Sequence, residues 1–292
     1  MKRLNLGCGS RYQEDWTNID FVSSGTTVIA HDLRNRLPFG DNSFDVVYHS
    51  HVLEHFSPKD ARKFLLECCR VLNPGGVLRV AVPDLEQIVR EYTRWLDLAR
   101  KGALDAAVNY DWMMLELYDQ TVRNRAGGQM AEYLLSGAVP NEDYVVSRIG
   151  TEGRRLIDIG KTKQANGTTG SHIREKLPLL RKIRNFMSPR RRLIKFIAGS
   201  RSYEDLSRET KIGKFRESGE IHQWMYDEFS LGRLLESVNF CGVCRRESDQ
   251  SYLSNWASEN LDTNADGGIY KPDSLFMEWR KPDPMTSQSN AL

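Results

Sequence analysis

The stretch HSHVLEH, residues 49–55, places three imidazoles and one carboxylate close together in the chain. Histidine titrates near neutral pH, so a histidine here is suited to accept a proton from a bound hydroxyl. If the stretch is helical, His51 and His55 share a face, with Glu54 beside them. We predict His51 as the general base, and we treat His222 as the alternative base.

The spacing H-x-x-x-H is also one way in which helices present zinc ligands, although the stretch is not H-E-x-x-H. A zinc site needs further protein ligands, and no third ligand stands out in the sequence. We therefore expect no metal. We expect His55 to shape a pocket or cap a helix. The alternative for His222 is a structural histidine beside Trp224.

Short apolar runs and one clear helix surround this stretch. RLNLG, WTNID, TTVIAHDL and SFDVVYHS read as four strands, and VLRVAVP reads as a fifth that is apolar enough to be buried on both faces. A helix follows Pro58, with Ser57 as its N-cap, and ends at an Asn-Pro-Gly-Gly sequence. Buried strands that alternate with helices predict an α/β fold with a doubly wound, Rossmann-like, mostly parallel sheet.

The chain changes character after Asp84, which either binds a ligand or caps the next helix. Amphipathic helical stretches follow, and order resumes at HQWMYDEFSLGRLLESVNF, where Ser230 is the predicted N-cap. CGVCRRES and DSLFMEWRK read as the last strands. We predict a core from residues 1–86 and 221–281, a helical cap insertion at 87–220, and a disordered tail at 282–292.

Gly7 and Gly9 form a turn directly after the first strand. Ligands of open α/β sheets bind beyond the carboxyl ends of the strands, and glycine lets a ligand approach the backbone closely. The turn is not a G-x-G-x-x-G fingerprint, because Tyr12 stands at the third position. The following strands end in polar residues: Asp20, Asp32, His49 and Ser50. We expect a nucleoside along this edge, with its ribose at Asp20 and its base at Asp32.

Residues 4–83 resemble class I S-adenosylmethionine-dependent methyltransferases of the branch that modifies small molecules and glycans. The resemblance lies in LNLGCG, W-x-N-I-D, D-L-x-x-x-L-P-F-x-D-x-S-F-D-x-V-Y, S-H-V-L-E-H and R-V-L-x-P-G-G. It implies S-adenosylmethionine as cofactor, with the glycine turn at its methionine part and Leu33 beside Asp32 at its adenine.

The chain departs from this family at two places. An acidic residue usually stands where this chain has Asn5, and only SRYQED replaces a full helix after the first strand. Arg11 is predicted to pair with the cofactor carboxylate in place of the missing helix N-terminus. The predicted cofactor contacts are Asn5, Gly7, Gly9, Arg11, Asp20, Asp32, Leu33, His49 and Ser50.

The resemblance implies methyl transfer to a small molecule or glycan, foremost to a sugar hydroxyl in glycan biosynthesis. Methylation of nitrogen or carbon, methylation of RNA, and a non-catalytic cofactor-binding role remain alternatives. The insertion would shape the acceptor site.

Residues 172–197 contain nine basic residues and one acidic residue. Such a basic amphipathic segment suits a membrane surface or a lipid-linked diphosphate acceptor, and the alternative is a solvated helix. Nucleic acid is not expected, because the net charge is only +2 and no aromatic residues interleave with the basic ones. With scattered cysteines and neither a signal peptide nor a membrane span, we expect a cytoplasmic protein or one at the inner membrane surface.

Overall fold

The computed structural model describes residues 1–23, 27–165 and 205–283. In these ranges a seven-stranded sheet is flanked by helices. The strands are β1 (Arg3–Leu6), β2 (Thr17–Asp20), β3 (Val28–Ala30), β4 (Phe44–Ser50), β5 (Leu72–Pro83), β6 (Cys241–Arg246) and β7 (Ser274–Arg280). The helices are α1 (Pro58–Val71), α2 (Leu85–Arg100), α3 (Ala106–Val122), α4 (Gly128–Leu134), α5 (Glu142–Ala165) and α6 (Glu228–Glu236). Residues 205–216 are also helical.

The strands lie in the order β3-β2-β1-β4-β5-β7-β6. Strands β1 to β5 are parallel, and β7 runs antiparallel to both of its neighbours. This confirms the predicted doubly wound, mostly parallel sheet, with its last two strands supplied by the C-terminal part of the chain. The carboxyl ends of β1 to β4 therefore meet along one edge, where ligands of such sheets bind.

Helix α1 begins where the sequence predicts. The Ser57 hydroxyl accepts a hydrogen bond from the Asp60 amide at 3.2 Å, and Pro58 occupies the first position, where a missing N–H costs nothing. The apolar face of the helix, with Phe64 and Leu65 among its buried residues, packs into the core of the sheet. This packing fixes the turn that precedes the helix, and with it residues 51–55.

Helices α2 to α5 enclose a second apolar core that is centred on Ile88, Trp112 and Met113. The helical segments occupy the region of the predicted insertion, whose boundaries at 87 and 220 stay a prediction. The two helical halves of α5 meet at Gly150, which has φ 62°. A Cβ there would lie 2.4 Å from the Tyr270 carbonyl oxygen, so glycine allows this helix to touch the C-terminal part of the core.

Two local predictions about residues have clear outcomes. The connection after β1 contains no helix, as SRYQED indicated. The prediction that Ser230 caps α6 is wrong. Asp227 is the N-cap, and its carboxylate accepts a hydrogen bond from the Ser230 amide at 2.7 Å. Ser230 lies at the third helical position and accepts a bond from the Asp227 amide, so the two residues cap the helix reciprocally.

Candidate cofactor cavity and histidine–glutamate cluster

A cavity of about 280 Å³ lies at the carboxyl ends of β1 to β4, and we call it the strand-end cavity. Five of the residues predicted from the sequence line it: Gly7, Asp20, Asp32, Leu33 and His51. Val52, His55 and Phe56 contribute further wall. A larger cleft of about 660 Å³ lies elsewhere, between α3, α4 and residues 207–212. That cleft lies away from the strand ends, so its size does not make it the candidate site.

The glycine turn after β1 is held against β2. The amides of Gly7 and Cys8 both donate to the Ile19 carbonyl, at 2.8 and 3.1 Å. Gly7 has φ 68°, and a Cβ on it would lie 2.4 Å from Val52 Cγ2. The turn therefore requires glycine at this position for both conformation and space, and the backbone itself forms the floor of the cavity.

Carboxylates follow two adjacent strands beside this turn. Asp20 accepts hydrogen bonds from the amides of Gly9 and Phe21, each at 2.6 Å. Asp32 accepts from the Arg34 amide at 3.0 Å and pairs with its guanidinium. Hydrogen bonding from the Arg34 side chain lowers the pKa of Asp32, so this carboxylate is ionised at neutral pH.

These residues fit an adenosyl cofactor. A Cβ-free floor, two carboxylates in the wall, and the apolar side chains of Leu33, Val52 and Phe56 are what a ribose, an adenine and an amino-acid tail require. The individual contacts predicted for Asp20, Asp32 and Leu33 stay predictions.

Arg11 is directed away from this cavity. Its Nε donates to the Leu261 carbonyl at 3.1 Å, its Nη2 donates to the Thr263 carbonyl, and the guanidinium lies 3.8 Å from the centre of the Tyr270 ring. These contacts tie the glycine turn to the C-terminal part of the chain. The geometry thus shows Arg11 in a structural role and lends no support to the predicted pairing with a cofactor carboxylate.

Four other predicted contacts also lie outside the cavity wall: Asn5, Gly9, His49 and Ser50. Asn5 is buried and donates from its side chain to the Arg11 carbonyl at 3.3 Å, so it supports the turn from behind. His49 is completely buried and packs edge-on against Phe64, at 5.2 Å between ring centres. Burial lowers the pKa of His49 to about 4, although the Glu54 carboxylate opposes this shift.

His51 lines the cavity, but not on a helix. Its φ of 54° is left-handed, and the next residues form a short 3₁₀ turn at Leu53–His55. The shared helical face that the H-x-x-x-H spacing suggested is therefore absent. His51 Nδ1 lies 3.3 Å from Glu54 Oε1, and His51 Nε2 is hydrogen bonded to Ser274 Oγ at 2.9 Å.

Glu54 is completely buried among imidazoles. Burial alone would raise the pKa of this carboxyl, but the lowering effect of His51, His222 and His55 is larger. The pKa of Glu54 therefore lies well below its usual range. Glu54 is thus ionised. Sequence reasoning placed Glu54 beside the histidines but gave it no role of its own.

His222 reaches the same carboxylate from a distant part of the chain. Its Nε2 lies 4.0 Å from Glu54 Oε1, and its ring meets His55 edge-on with centres 4.8 Å apart. Burial lowers the pKa of His222 to about 3, against the opposing effect of Glu54. We call His51, Glu54, His55 and His222 the histidine–glutamate cluster. Sequence reasoning named His222 but not this proximity, because no local spacing connects the two segments.

The histidine–glutamate cluster separates the strand-end cavity from a second cavity. His51 and His55 face the strand-end cavity, whereas His222 lines a cavity of about 750 Å³ together with Arg216, Trp224 and Met225. Arg34 belongs to both cavities. We call the larger one the second cavity.

Asp84 takes the structural alternative. It is buried, and its carboxylate caps α2 by accepting a hydrogen bond from the Gln87 amide at 3.2 Å. The Arg245 guanidinium lies 3.2 Å from the other carboxylate oxygen.

The basic segment 172–197 and the tail from residue 284 lie outside the described residues. Within the described part of the chain, no helix has the length and apolar character needed to cross a membrane.

Comparison with known proteins identifies a matching sequence family and several relatives. Residues 9–80 match the sequence family described as Methyltransferase domain. A "Probable S-adenosylmethionine-dependent methyltransferase" of Mycolicibacterium smegmatis is 45% identical over 28% of this chain and 37% of its own length. A "Probable tRNA methyltransferase 9B" of Mus musculus is 41% identical over 20% of this chain and 13% of its own length.

A methyltransferase of known crystal structure from Archaeoglobus fulgidus is 12% identical over 96% of this chain and 86% of its own, with a TM-score of 0.37. The strand order and the strand-end cavity define a Rossmann-like α/β protein. Its residues 9–80 form a methyltransferase domain of the class I, S-adenosylmethionine-dependent type. The cofactor of this family is S-adenosylmethionine. This chain matches well under half the length of the curated relatives.

Proposed function

We propose that the protein methylates a hydroxyl of a small-molecule or glycan acceptor. When bound, S-adenosylmethionine supplies a methyl group on a positively charged sulfur. The arrangement that supports this proposal is the pair of cavities on either side of the histidine–glutamate cluster. The strand-end cavity would hold the cofactor and the second cavity the acceptor, so that the two reacting groups meet where the cavities adjoin.

His51 is the base that this geometry favours. Its Nδ1 faces the ionised Glu54 carboxylate, which favours the tautomer with hydrogen on Nδ1 and leaves Nε2 to accept a proton. Ser274 Oγ marks a position within hydrogen-bonding distance of that nitrogen. His222 is the weaker candidate, because its lowered pKa makes it a poor proton acceptor at neutral pH.

A sugar or polyol acceptor suits the second cavity. Arg34 and Arg216 offer guanidinium donors to hydroxyl or phosphate oxygens, and Trp224 is about half exposed and can pack against a sugar ring. The nine basic residues of segment 172–197 support an acceptor that carries phosphate or sits at a membrane surface. The proposed acceptor is thus a glycan, free or carried on a lipid diphosphate.

The test is transfer of labelled methyl from S-adenosylmethionine to sugar, sugar-nucleotide and lipid-linked sugar acceptors. Mass spectrometry of the product then assigns the methylated atom. We expect an O-methyl ether on a glycan, and we expect calorimetry to show binding of both S-adenosylmethionine and S-adenosylhomocysteine. A product labelled only on nitrogen or carbon would contradict the hydroxyl acceptor. Cofactor binding without transfer to any acceptor would favour a regulatory role.

RNA is the second candidate acceptor, because the Mus musculus relative carries a tRNA methyltransferase name. That likeness covers only 20% of this chain. Labelled transfer into total tRNA, together with binding that weakens steeply as salt rises, would support RNA over a glycan. The absence of RNA binding at low salt would exclude it.

A further inference from the structure

Three side chains of the histidine–glutamate cluster have the composition of a metal site. Glu54, His55 and His222 each offer one donor atom, and these atoms all lie within 4.8 Å of one another. Two of the residues come from the turn before α1, and the third comes from the segment before α6. Two imidazoles and one carboxylate form the ligand set of many catalytic zinc sites.

The polar atoms in the cluster are poorly satisfied by the protein. No hydrogen bond of good geometry reaches either carboxylate oxygen of Glu54 from the described residues, although His51 Nδ1 lies 3.3 Å from Oε1, and His222 Nδ1 has no such partner. Glu54 is completely buried, and only about 5% of His222 is exposed. Burying an ionised carboxylate with few hydrogen bonds is costly, so a cation bound here would be stabilised.

Backbone contacts hold the two segments in place. The amides of Gln223 and Trp224 donate to the Glu54 carbonyl at 2.7 and 3.2 Å. The Gln223 side chain donates to the His55 carbonyl at 2.9 Å, and the His222 amide donates to the Gln120 carbonyl at 3.0 Å. The donors are thus held before any ion arrives, which reduces the ordering that binding requires.

One of these contacts also sets a ring orientation. His55 Nδ1 lies 3.2 Å from the Ile221 carbonyl oxygen, which can only accept, so Nδ1 carries the hydrogen. Nε2 then keeps its lone pair for a metal. Metal-binding histidines typically donate their other N–H to a carbonyl or carboxylate in this way.

We propose that Glu54, His55 and His222 bind one divalent transition-metal ion, such as Zn²⁺, in the wall between the strand-end cavity and the second cavity. Zinc binds nitrogen and oxygen ligands at roughly 2.0–2.2 Å, which puts tetrahedral donors about 3.4 Å apart, so donors that lie within 4.8 Å of one another need close by at most about 1.4 Å. Mg²⁺ prefers an all-oxygen set and fits less well. The expectation of no metal from the H-x-x-x-H spacing is explained by the third ligand, His222, which a remote segment supplies.

The open position of such an ion would face the cavities, and this role rests on the proposed function. A hydroxyl oxygen bound there would lose its proton more easily, as metal-bound water does. His51 Nδ1 contacts Glu54 Oε1, so the proposed base would adjoin the ion through this ligand. The metal would thus fix the acceptor, and His51 would remain the base.

The experiment is calorimetric titration of Zn²⁺ into the tag-free, chelator-treated full-length protein, repeated with Co²⁺ to read its visible absorption. We expect one ion per chain and a Co²⁺ spectrum of nitrogen and oxygen ligands without thiolate. Glu54→Gln and His222→Gln should each lower the affinity at least tenfold. His31→Ala should bind like the wild type, because His31 lines the strand-end cavity outside the cluster.

Three results would overturn the proposal: wild type without a stoichiometric site, cluster variants that bind like wild type, and loss of binding in Cys241→Ser, which would place zinc at the cysteine pair Cys241 and Cys244 of the CGVC sequence. Thermal melts of the metal-free variants show whether they fold, and the wild-type titration stands independently of them.

Titration with S-adenosylmethionine separates the two proposals. Failure to bind the cofactor would remove the proposed function, whereas failure to bind zinc would remove only the metal.

Discussion

The two walls of the strand-end cavity are built in different ways. The wall formed by the glycine turn, Asp20 and Asp32 comes from a short piece of chain, and its polar groups are hydrogen bonded to neighbouring backbone. The opposite wall contains His51 and His55, and directly behind it Glu54 meets His222 from a remote segment, with buried polar atoms left unpaired. The first wall is thus complete without a ligand, whereas the second still needs a partner. This difference suggests cofactor binding on one side and chemistry on the other.

Removing the proposed base should give the largest effect. It should lower the turnover number and leave cofactor binding at the other wall nearly unchanged. Asn is the suitable replacement at His51, because Asn tolerates the left-handed conformation that this position adopts. We expect the turnover number of His51→Asn to fall by about 10²–10⁴-fold while the affinity for S-adenosylmethionine stays within about threefold. Steady-state kinetics and calorimetry measure the two. Turnover within a few-fold of wild type would show that His51 is not the base.

The glycine turn should respond in the opposite way, through stability and cofactor binding. Gly7→Ala adds a Cβ 2.4 Å from Val52 Cγ2 at a positive φ, so we expect a loss of about 2–5 kcal/mol in the free energy of unfolding. Gly9→Ala is the matched control. It has a positive φ but nothing within 4 Å of its Cβ, so it should lose only about 1–2 kcal/mol. Urea unfolding that ranks the two equally would contradict the close contact.

Asp20 tests whether the first wall binds the cofactor. Asp20→Asn keeps the shape but removes the charge, and charged hydrogen bonds contribute about 1.5–3 kcal/mol. We expect the dissociation constant for S-adenosylmethionine to rise by about tenfold or more in calorimetry. Asp45→Asn is the control, because Asp45 lies at the start of β4, at the other end of the sheet, where it accepts from the Lys2 amide. Equal affinities in the two variants would exclude Asp20 from cofactor binding.

His49 should reveal itself through pH, because it is a core histidine and not part of either wall. Its folded pKa of about 4 lies below the ordinary value of 6.5, so the unfolded chain binds the proton first as the pH falls. The stability that neutral His49 contributes to the folded state is complete above the unfolded pKa. It is lost as the pH falls from 7 towards 4. Between pH 7 and pH 5 we expect a loss of roughly 2 kcal/mol. Unfolding of His49→Gln should depend less on pH, and an unchanged slope would contradict this origin.

The sheet could be predicted because its strands are short, apolar and punctuated locally. Ser57 and Pro58 mark the start of α1. Gly7, Asp20 and Asp32 stand at strand ends, which meet at one edge of the folded sheet. These features depend on neighbours within a few residues, which is where sequence patterns carry information.

The second wall could not be predicted in the same way. His222 meets Glu54 only because residues 221–224 pack onto the turn before α1, and no spacing in the sequence records that contact. Arg11 shows the converse situation. It follows the turn in sequence, but its guanidinium donates hydrogen bonds to the carbonyls of the remote residues Leu261 and Thr263. Tertiary contacts decided both cases.

The most direct test of the account is a crystal structure with S-adenosylhomocysteine bound. We predict density for the ligand in the strand-end cavity, with its ribose at Asp20, its adenine near Asp32 and Leu33, and its sulfur directed towards His51. Density in the larger cleft formed by α3, α4 and residues 207–212, or density elsewhere with the strand ends unchanged, would contradict the account.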